Sequence, residues 1–205
     1  MKTKLNLGSG IKLKKGFINV DAFFTLKELS DGQRTKKGRF QNAVVPRGAK
    51  FVQAMIQDLP FEDDFADYIE MSHVIEHLQF RQVIPTLKEI YRVLKPGGEL
   101  VVATNDTNGV VLDWVTMMTG HNFDLQQYQN LMEVMHGDQA DTGGFHLTPF
   151  NADYLNYCLT SAGFKIGEIG LIQKYQRFPK MRELNYGNGK KIIARNAQLY
   201  AIVKK

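Results

Sequence analysis

Lys4-Leu-Asn-Leu-Gly-Ser-Gly10, followed at a short distance by Phe17-Ile-Asn-Val-Asp21, is the stretch on which the fold turns. Each half is a brief apolar run cut off by residues that stop a strand, two glycines in the first case and an aspartate in the second. Runs of this length, apolar on both faces, read as buried parallel strands. Lys50-Phe-Val-Gln-Ala-Met-Ile56 and Asp67-Tyr-Ile-Glu-Met71 repeat the pattern. Phe80, Val83, Ile84, Leu87, Ile90, Tyr91 and Leu94 then follow helical spacing; Lys95 suits the last turn, and Pro96-Gly-Gly98 stops the helix before a fifth strand, Glu99 to Ala103. Strands alternating with helices imply an α/β fold with a mostly parallel, doubly wound sheet covered by helices on both faces.

Further along, two weaker helical patterns near Val110 to Met118 and Leu125 to Met135 form an insertion between Asn105 and Gly144, expected to act as a lid. Thr148 is expected to cap a helix with Pro149 at its first position, running through Tyr154, Leu155 and Leu159. Phe164 to Ile169 and Ala197 to Val203 read as strands, and Asn185-Tyr-Gly-Asn-Gly-Lys-Lys191 has turn composition.

The 205 residues, 43% of them hydrophobic, suit one domain over residues 1–205. No apolar run reaches membrane-spanning length and the charged start lacks a secretory segment, so a cytoplasmic protein without membrane partners is expected. The single cysteine, Cys158, has no internal disulfide partner and reads as a small buried apolar residue. Charge is uneven, +9 over residues 1–50 and −4 over the remainder. The basic segment from Lys27 to Lys50 is either a solvated face or a device that selects an acidic or phosphorylated ligand.

In an open parallel sheet the ligand lies beyond the carboxyl ends of the strands, so the residues just after each strand carry the chemistry. Here they are Gly8-Ser-Gly10, Asp21, Asp58 and Ser72-His73. Glycines let a backbone approach a ligand closely, and a carboxylate after the second strand can accept two ribose hydroxyls.

With these residues the chain resembles the class I S-adenosylmethionine-dependent methyltransferases, in particular small members of the type 11 kind. Leu5 to Gly10 is similar to the family's glycine-rich motif, Asn19-Val-Asp21 to its acidic second motif, and Asp58 to Asp67 to its third. Ser72-His-Val-Ile-Glu-His-Leu78, Leu94 to Leu100 and Phe145 to Phe150 complete the likeness. The resemblance implies a Rossmann-like sheet of about seven strands, the last antiparallel, with S-adenosylmethionine as cofactor and S-adenosylhomocysteine as product. It implies that Gly8 and Gly10 pass under the methionine part, with Asn6 and Ser9 beside them. Asp21 then binds the ribose, Asp58 the adenine amino group with Gln57 alongside, and Leu59 packs on the ring. Ser72 and His73 fall beside the methionine carboxylate or the methyl. The ten residues between Gly10 and Asp21 leave no room for a full crossover helix, so a short turn is expected there.

Methyl transfer from a sulfonium is an in-line displacement that depends mainly on alignment. A hydroxyl acceptor also benefits from a base, for which His146, His73 and Asp106 are candidates. His121 and His136 receive no role. The likeness to members found with carbohydrate-modifying enzymes suggests a sugar hydroxyl or another small molecule as acceptor. Rival readings fare worse. His73-Val-Ile-Glu-His77 matches an H-x-x-E-H zinc motif, but that motif belongs inside a helix with a third ligand, whereas His73 abuts a strand; no metal is assigned. In a dinucleotide fingerprint the third glycine would fall at Leu13. A noncatalytic scaffold or nucleic-acid-associated protein is the remaining alternative, and no aromatic-interleaved basic patch supports nucleic-acid binding. The sequence leaves the oligomeric state open.

Overall fold

A computed structural model describes residues 2–23, 45–119, 125–137, 139, 144–172, 182–185, 191–194 and 198–205. Most of the basic segment from Lys27 to Lys50, and His121, lie outside the described residues.

Strands β1 (Lys4–Leu7), β2 (Ile18–Asp21), β3 (Lys50–Gln53), β4 (Ala66–Ser72) and β5 (Leu94–Asn105) run parallel. With β6 (Lys165–Ile172) and β9 (Gln198–Lys204) they form one seven-stranded sheet in the order β3-β2-β1-β4-β5-β9-β6. The closing strand β9 lies antiparallel between β5 and β6, as the resemblance implies. The strand order reverses between β1 and β4, and such a switch point opens a crevice at the carboxyl edge of the sheet. A separate antiparallel pair, β7 (Arg182–Asn185) with β8 (Lys191–Ala194), brackets the stretch read only as turn.

Helix α1 (Val83–Val93) shows why its sequence folds this way. Val83, Leu87, Ile90 and Val93 recur on one face and are fully buried, while Pro85 falls in the first turn, where its missing N–H costs nothing. This face joins Leu5, Leu7, Ile69, Met71, Leu100 and Val102 of the central strands in one core. Each such side chain contributes about 1.5–3 kcal/mol on burial. Two corrections belong here. The strand after α1 begins at Leu94 rather than Glu99, because residues 95–98 form a bulge between the pairs Ala66 with Leu94 and Tyr68 with Glu99. Phe80 precedes α1 in its own 3-10 turn and is exposed.

Helices α2 (Thr107–Thr119) and α3 (Leu125–His136) occupy the expected insertion and share a small apolar cluster, Val110 with Leu131, apart from the main core. Helix α4 (Ala152–Ser161) buries Leu155, Cys158 and Leu159. Thr148 does not cap it. Asn151 does, its side chain accepting from the Tyr154 N–H at 2.8 Å, whereas the Thr148 hydroxyl donates to the Leu78 carbonyl at 2.7 Å. The Ser/Thr-Pro signature is therefore used to tie two loops together. Cys158 is buried and unoxidised, and burial pushes its thiol pKa up.

Candidate active site

The glycine loop is shaped by its backbone. Gly8 has φ +61°, and a Cβ there would stand 2.2 Å from Val74 Cγ2. Only glycine fits, because the side chain is forbidden both by the left-handed conformation and by the neighbour. Gly10, at φ +48°, has open space where a Cβ would be. The Ser9 N–H donates to the Val20 carbonyl at 3.0 Å, and the loop continues to β2 in turns without a helix, as its length requires.

Asp21 closes β2 against this loop. One carboxylate oxygen accepts from the Gly10 N–H at 2.8 Å and the other from the Phe23 N–H at 2.9 Å. An oxygen that holds one N–H keeps a second lone pair, so the buried carboxylate can still accept hydroxyls. Asn6 has a different duty. Its amide donates to Asn19 Oδ1 at 2.9 Å and to the Lys12 carbonyl at 3.2 Å, and Asn19 in turn receives the Lys14 N–H. These two buried amides pin the crossover in place of the missing helix.

After β3, Gln57 Oε1 is buried without a hydrogen-bond partner among the described residues, an arrangement that costs about 1–3 kcal/mol unless a ligand donor meets it. Asp58 is exposed, while Leu59 is 3% exposed and belongs to the core, which leaves little of its side chain for a ring to stack on. Sequence reasoning missed Phe23 and Met55, 64% and 49% exposed, the apolar residues that follow β2 and β3. Their signal was available: large apolar side chains directly beyond strand ends in a ligand-binding edge.

This segment is clamped to α1 by Arg92. The guanidinium donates to both oxygens of Glu89, to Asp63 at 2.7 Å and to the Phe61 carbonyl at 2.9 Å, while Glu89 accepts the Leu59 N–H at 2.9 Å. The Arg92 hydrogen bond holds Glu89 below the usual carboxylate range. A rigid support under residues 57–61 follows from this network.

The edge beyond β4 and β5 holds the polar groups. Ser72 is exposed, and His73 takes the left-handed region at φ +55°, a conformation rare outside glycine and asparagine. The Gln198 amide nitrogen lies 2.8 Å from His73 Nε2, so that nitrogen accepts and the proton sits on Nδ1, which donates to Glu76 Oε1 at 3.0 Å. Both ring nitrogens are thus engaged within the protein. Glu76, absent from the sequence-derived candidates, is the hub. It is 2% exposed, its other oxygen accepts from the Thr104 hydroxyl at 3.0 Å, and its carbonyl accepts the Leu147 and Thr148 N–H groups. Burial, the largest single influence, pushes its carboxyl pKa up, but the hydrogen bond and charge of His73, with a backbone hydrogen bond and the charge of His77, together hold it below the ordinary value.

His146 lies beside this hub. Its Nδ1 donates to the Val134 carbonyl at 2.7 Å, so the lone pair of the neutral ring is on Nε2. Asp106 is buried at the junction of β5 and α2, where the next residue's N–H donates to the Phe150 carbonyl. Glu76, Thr104, Asn105, His136 and His146 line a cleft of about 260 Å³ roofed by residues of α2 and α3. The H-x-x-E-H stretch forms a 3-10 turn, Ile75–His77, so His73 and His77 are not stacked one helical turn apart.

Comparison with known proteins agrees with this geometry. Residues 8–102 match a family described as "Methyltransferase domain". The ubiquinone/menaquinone biosynthesis C-methyltransferase UbiE of Pectobacterium atrosepticum is 29% identical over 139 residues, 61% of this chain and 54% of that protein. The UbiE of Citrobacter koseri is 37% identical over 79 residues, 38% of this chain and 30% of that protein. The chain thus spans about half the length, or less, of the curated relatives it matches. Among solved structures, a SAM-dependent methyltransferase of Methanosarcina mazei shares the fold with a TM-score of 0.60 at 20% identity, covering 100% of this chain and 92% of the other. The 1,6-didemethyltoxoflavin-N1-methyltransferase of Burkholderia thailandensis, solved with S-adenosylhomocysteine, has a TM-score of 0.58 at 12% identity, covering 100% and 71%.

Over residues 8–102, just under half of the chain, the sequence matches the methyltransferase domain family, and the fold is shared with SAM-dependent methyltransferases; the cofactor that this likeness implies is S-adenosylmethionine. The residues fit that group: a glycine turn with open space at Gly10, a buried carboxylate at Asp21, an unmatched acceptor at Gln57, and apolar side chains at Phe23 and Met55.

Proposed function

We propose that this chain, acting as one domain, transfers a methyl group to a hydroxyl of a small molecule, a sugar among the candidates, held in the cleft under α2 and α3. The observation that carries this reading is the cleft at the carboxyl edge of β4 and β5, largely apolar but bordered by Glu76, Thr104 and a histidine whose Nδ1 is engaged by a backbone carbonyl, leaving Nε2 for the acceptor. Bound S-adenosylmethionine supplies an electrophilic methyl on a sulfonium. Gly8 and Gly10 admit the cofactor's backbone approach, Asp21 accepts from its ribose hydroxyls, and Gln57 with Asp58 accepts from its adenine amino group. Ser72 lies at the methionine end, where its exposed hydroxyl can hydrogen-bond the carboxylate. Phe23 and Met55 cover apolar surface that Leu59, in the core, does not reach.

His146 accepts the acceptor's proton at Nε2, and its Nδ1 bond to Val134 fixes the ring for that role. His73 positions Glu76, and Asp106 holds the entry to α2. Helices α2 and α3, joined through their own apolar cluster, serve as the lid that excludes water. A 260 Å³ cleft suits a small acceptor rather than a polymer. A carbon acceptor is the second reading, favoured by the C-methyltransferase relatives. Screening sugars, phenols and quinol precursors for S-adenosylhomocysteine formation separates the two. Turnover with hydroxyl compounds that His146→Ala abolishes supports the first, and turnover confined to carbon nucleophiles supports the second.

A further inference from the structure

Beside the cofactor crevice, one nitrogen of His77, one nitrogen of His146 and one oxygen of Glu76 all lie within 4.8 Å of one another. The two rings are held in the same way. His77 Nδ1 donates to the Phe145 carbonyl at 2.8 Å, and His146 Nδ1 donates to the Val134 carbonyl at 2.7 Å. A carbonyl can only accept, so each Nδ1 carries a proton, and in the neutral imidazole the lone pair left for an ion is on Nε2. Metal-binding histidines are oriented in this manner, with the second ring nitrogen donating to a backbone carbonyl or carboxylate. The third group is also prepared. Glu76 is buried and accepts one hydrogen bond on each oxygen, from His73 and from Thr104, so each oxygen retains a further acceptor site.

We propose that Glu76, His77 and His146 form a binding site for a divalent transition-metal ion of the zinc class, held by two imidazoles and one carboxylate. Two nitrogens and an oxygen on one ion match the ligand chemistry of zinc and its neighbours rather than magnesium or calcium, which take oxygen ligands. Ligand atoms about 2.0–2.1 Å from a tetrahedral ion stand about 3.3 Å from each other, so small side-chain rotations close the present spacing. His77 and His146 are partly exposed, which gives an ion access. The three residues come from two loops that the sequence keeps almost seventy positions apart, the 3-10 turn after β4 and the segment before α4. The zinc motif visible in the sequence therefore contributes Glu76 and His77, with His146 in place of His73.

Glu76 and His146 both line the proposed acceptor cleft, so three protein ligands leave a coordination position open towards it. Resting on the methyltransferase reading, but with the ion replacing His146 as the group that activates the acceptor because a coordinated Nε2 takes no proton, an acceptor hydroxyl placed there has its acidity raised by the ion. Its proton passes to cleft water, its oxygen pair forms the bond to the methyl carbon, and the pair of the broken carbon–sulfur bond stays on sulfur.

The test is Co²⁺ and Zn²⁺ binding to the chelator-treated full chain, followed by Co²⁺ visible absorption and by equilibrium dialysis. One ion per chain is expected, weakened more than about 100-fold in His77→Ala and in His146→Ala, beyond the loss caused by an outer partner alone. Unchanged stabilisation of both variants by S-adenosylhomocysteine shows that they fold, and Asp21→Ala should lose that stabilisation yet keep the ion. Absence of binding in the wild type, or binding that both histidine variants retain, overturns the site. Metal binding without any response to S-adenosylhomocysteine would leave the site standing and overturn the methyltransferase reading instead.

Discussion

His77 and His146 meet edge to face, their ring centroids 4.9 Å apart at an interplanar angle of 68°. The contact joins the turn after β4 to the loop before α4, which is also where the Glu76 carbonyl accepts the Leu147 and Thr148 N–H groups. Two distant parts of the chain are thus joined at Glu76, whose backbone carbonyl holds the loop before α4 while its carboxylate holds His73 and Thr104.

His73→Ala tests that lock through pH. In the wild type the Glu76 carboxyl sits below its ordinary value of 4.5, so its ionisation adds stability above that pH, and the contribution disappears as pH falls through the lower folded value. Without His73, burial prevails, the folded value rises above the unfolded one, and ionisation becomes a cost. Urea unfolding should show the variant about 1–3 kcal/mol less stable at pH 7, with the gap narrowing near pH 4. Equal gaps at the two pH values would contradict this account.

Gly8→Ala should destabilise the chain by about 1–3 kcal/mol, from overpacking against Val74 and from the left-handed backbone. Val74→Ala in the same chain should recover the overpacking part and leave the backbone part. A double-mutant cycle with no coupling would show that the loop moves aside at no cost.

At Gly10 the expectation differs, because a Cβ there meets open space. Gly10→Ala should lower thermal stability only by the left-handed cost, about 1–2 kcal/mol, while weakening S-adenosylhomocysteine at least tenfold. Undiminished affinity would mean that the cofactor does not pass over this residue.

Arg92→Lys keeps the charge and removes the fork that grips Glu89, Asp63 and the Phe61 carbonyl. A loss of about 1.5–3 kcal/mol is expected, together with a higher KM for S-adenosylmethionine, since residues 57–61 rest on this clamp. A stability loss with KM unchanged would separate the clamp from the cofactor.

Legibility in the sequence followed the range of the interactions. The strands, α1 and the chain order of Gly10, Asp21 and Asp58 were readable because apolar period and strand-end position are local properties. The bonds of Asn6 to Asn19 and Lys12 were not readable, because they depend on how the crossover folds back on β1. Glu76 was invisible as a hub: its partners His73, Thr104, Leu147 and Thr148 meet only once β4, β5 and the loop before α4 are assembled. Thr148-Pro149 carried a true capping signature, outcompeted by the tertiary bond to Leu78. At four residues each, β7 and β8 were too short to show the apolar alternation by which strands are recognised.

The measurement that bears most directly on the central claim is calorimetric titration of S-adenosylhomocysteine into the wild type and into Asp21→Ala. The account predicts one site per chain, with affinity reduced at least tenfold in the variant because the buried carboxylate against Gly10 receives the ribose. No heat of binding to the wild type, or equal affinity in both proteins, would contradict it.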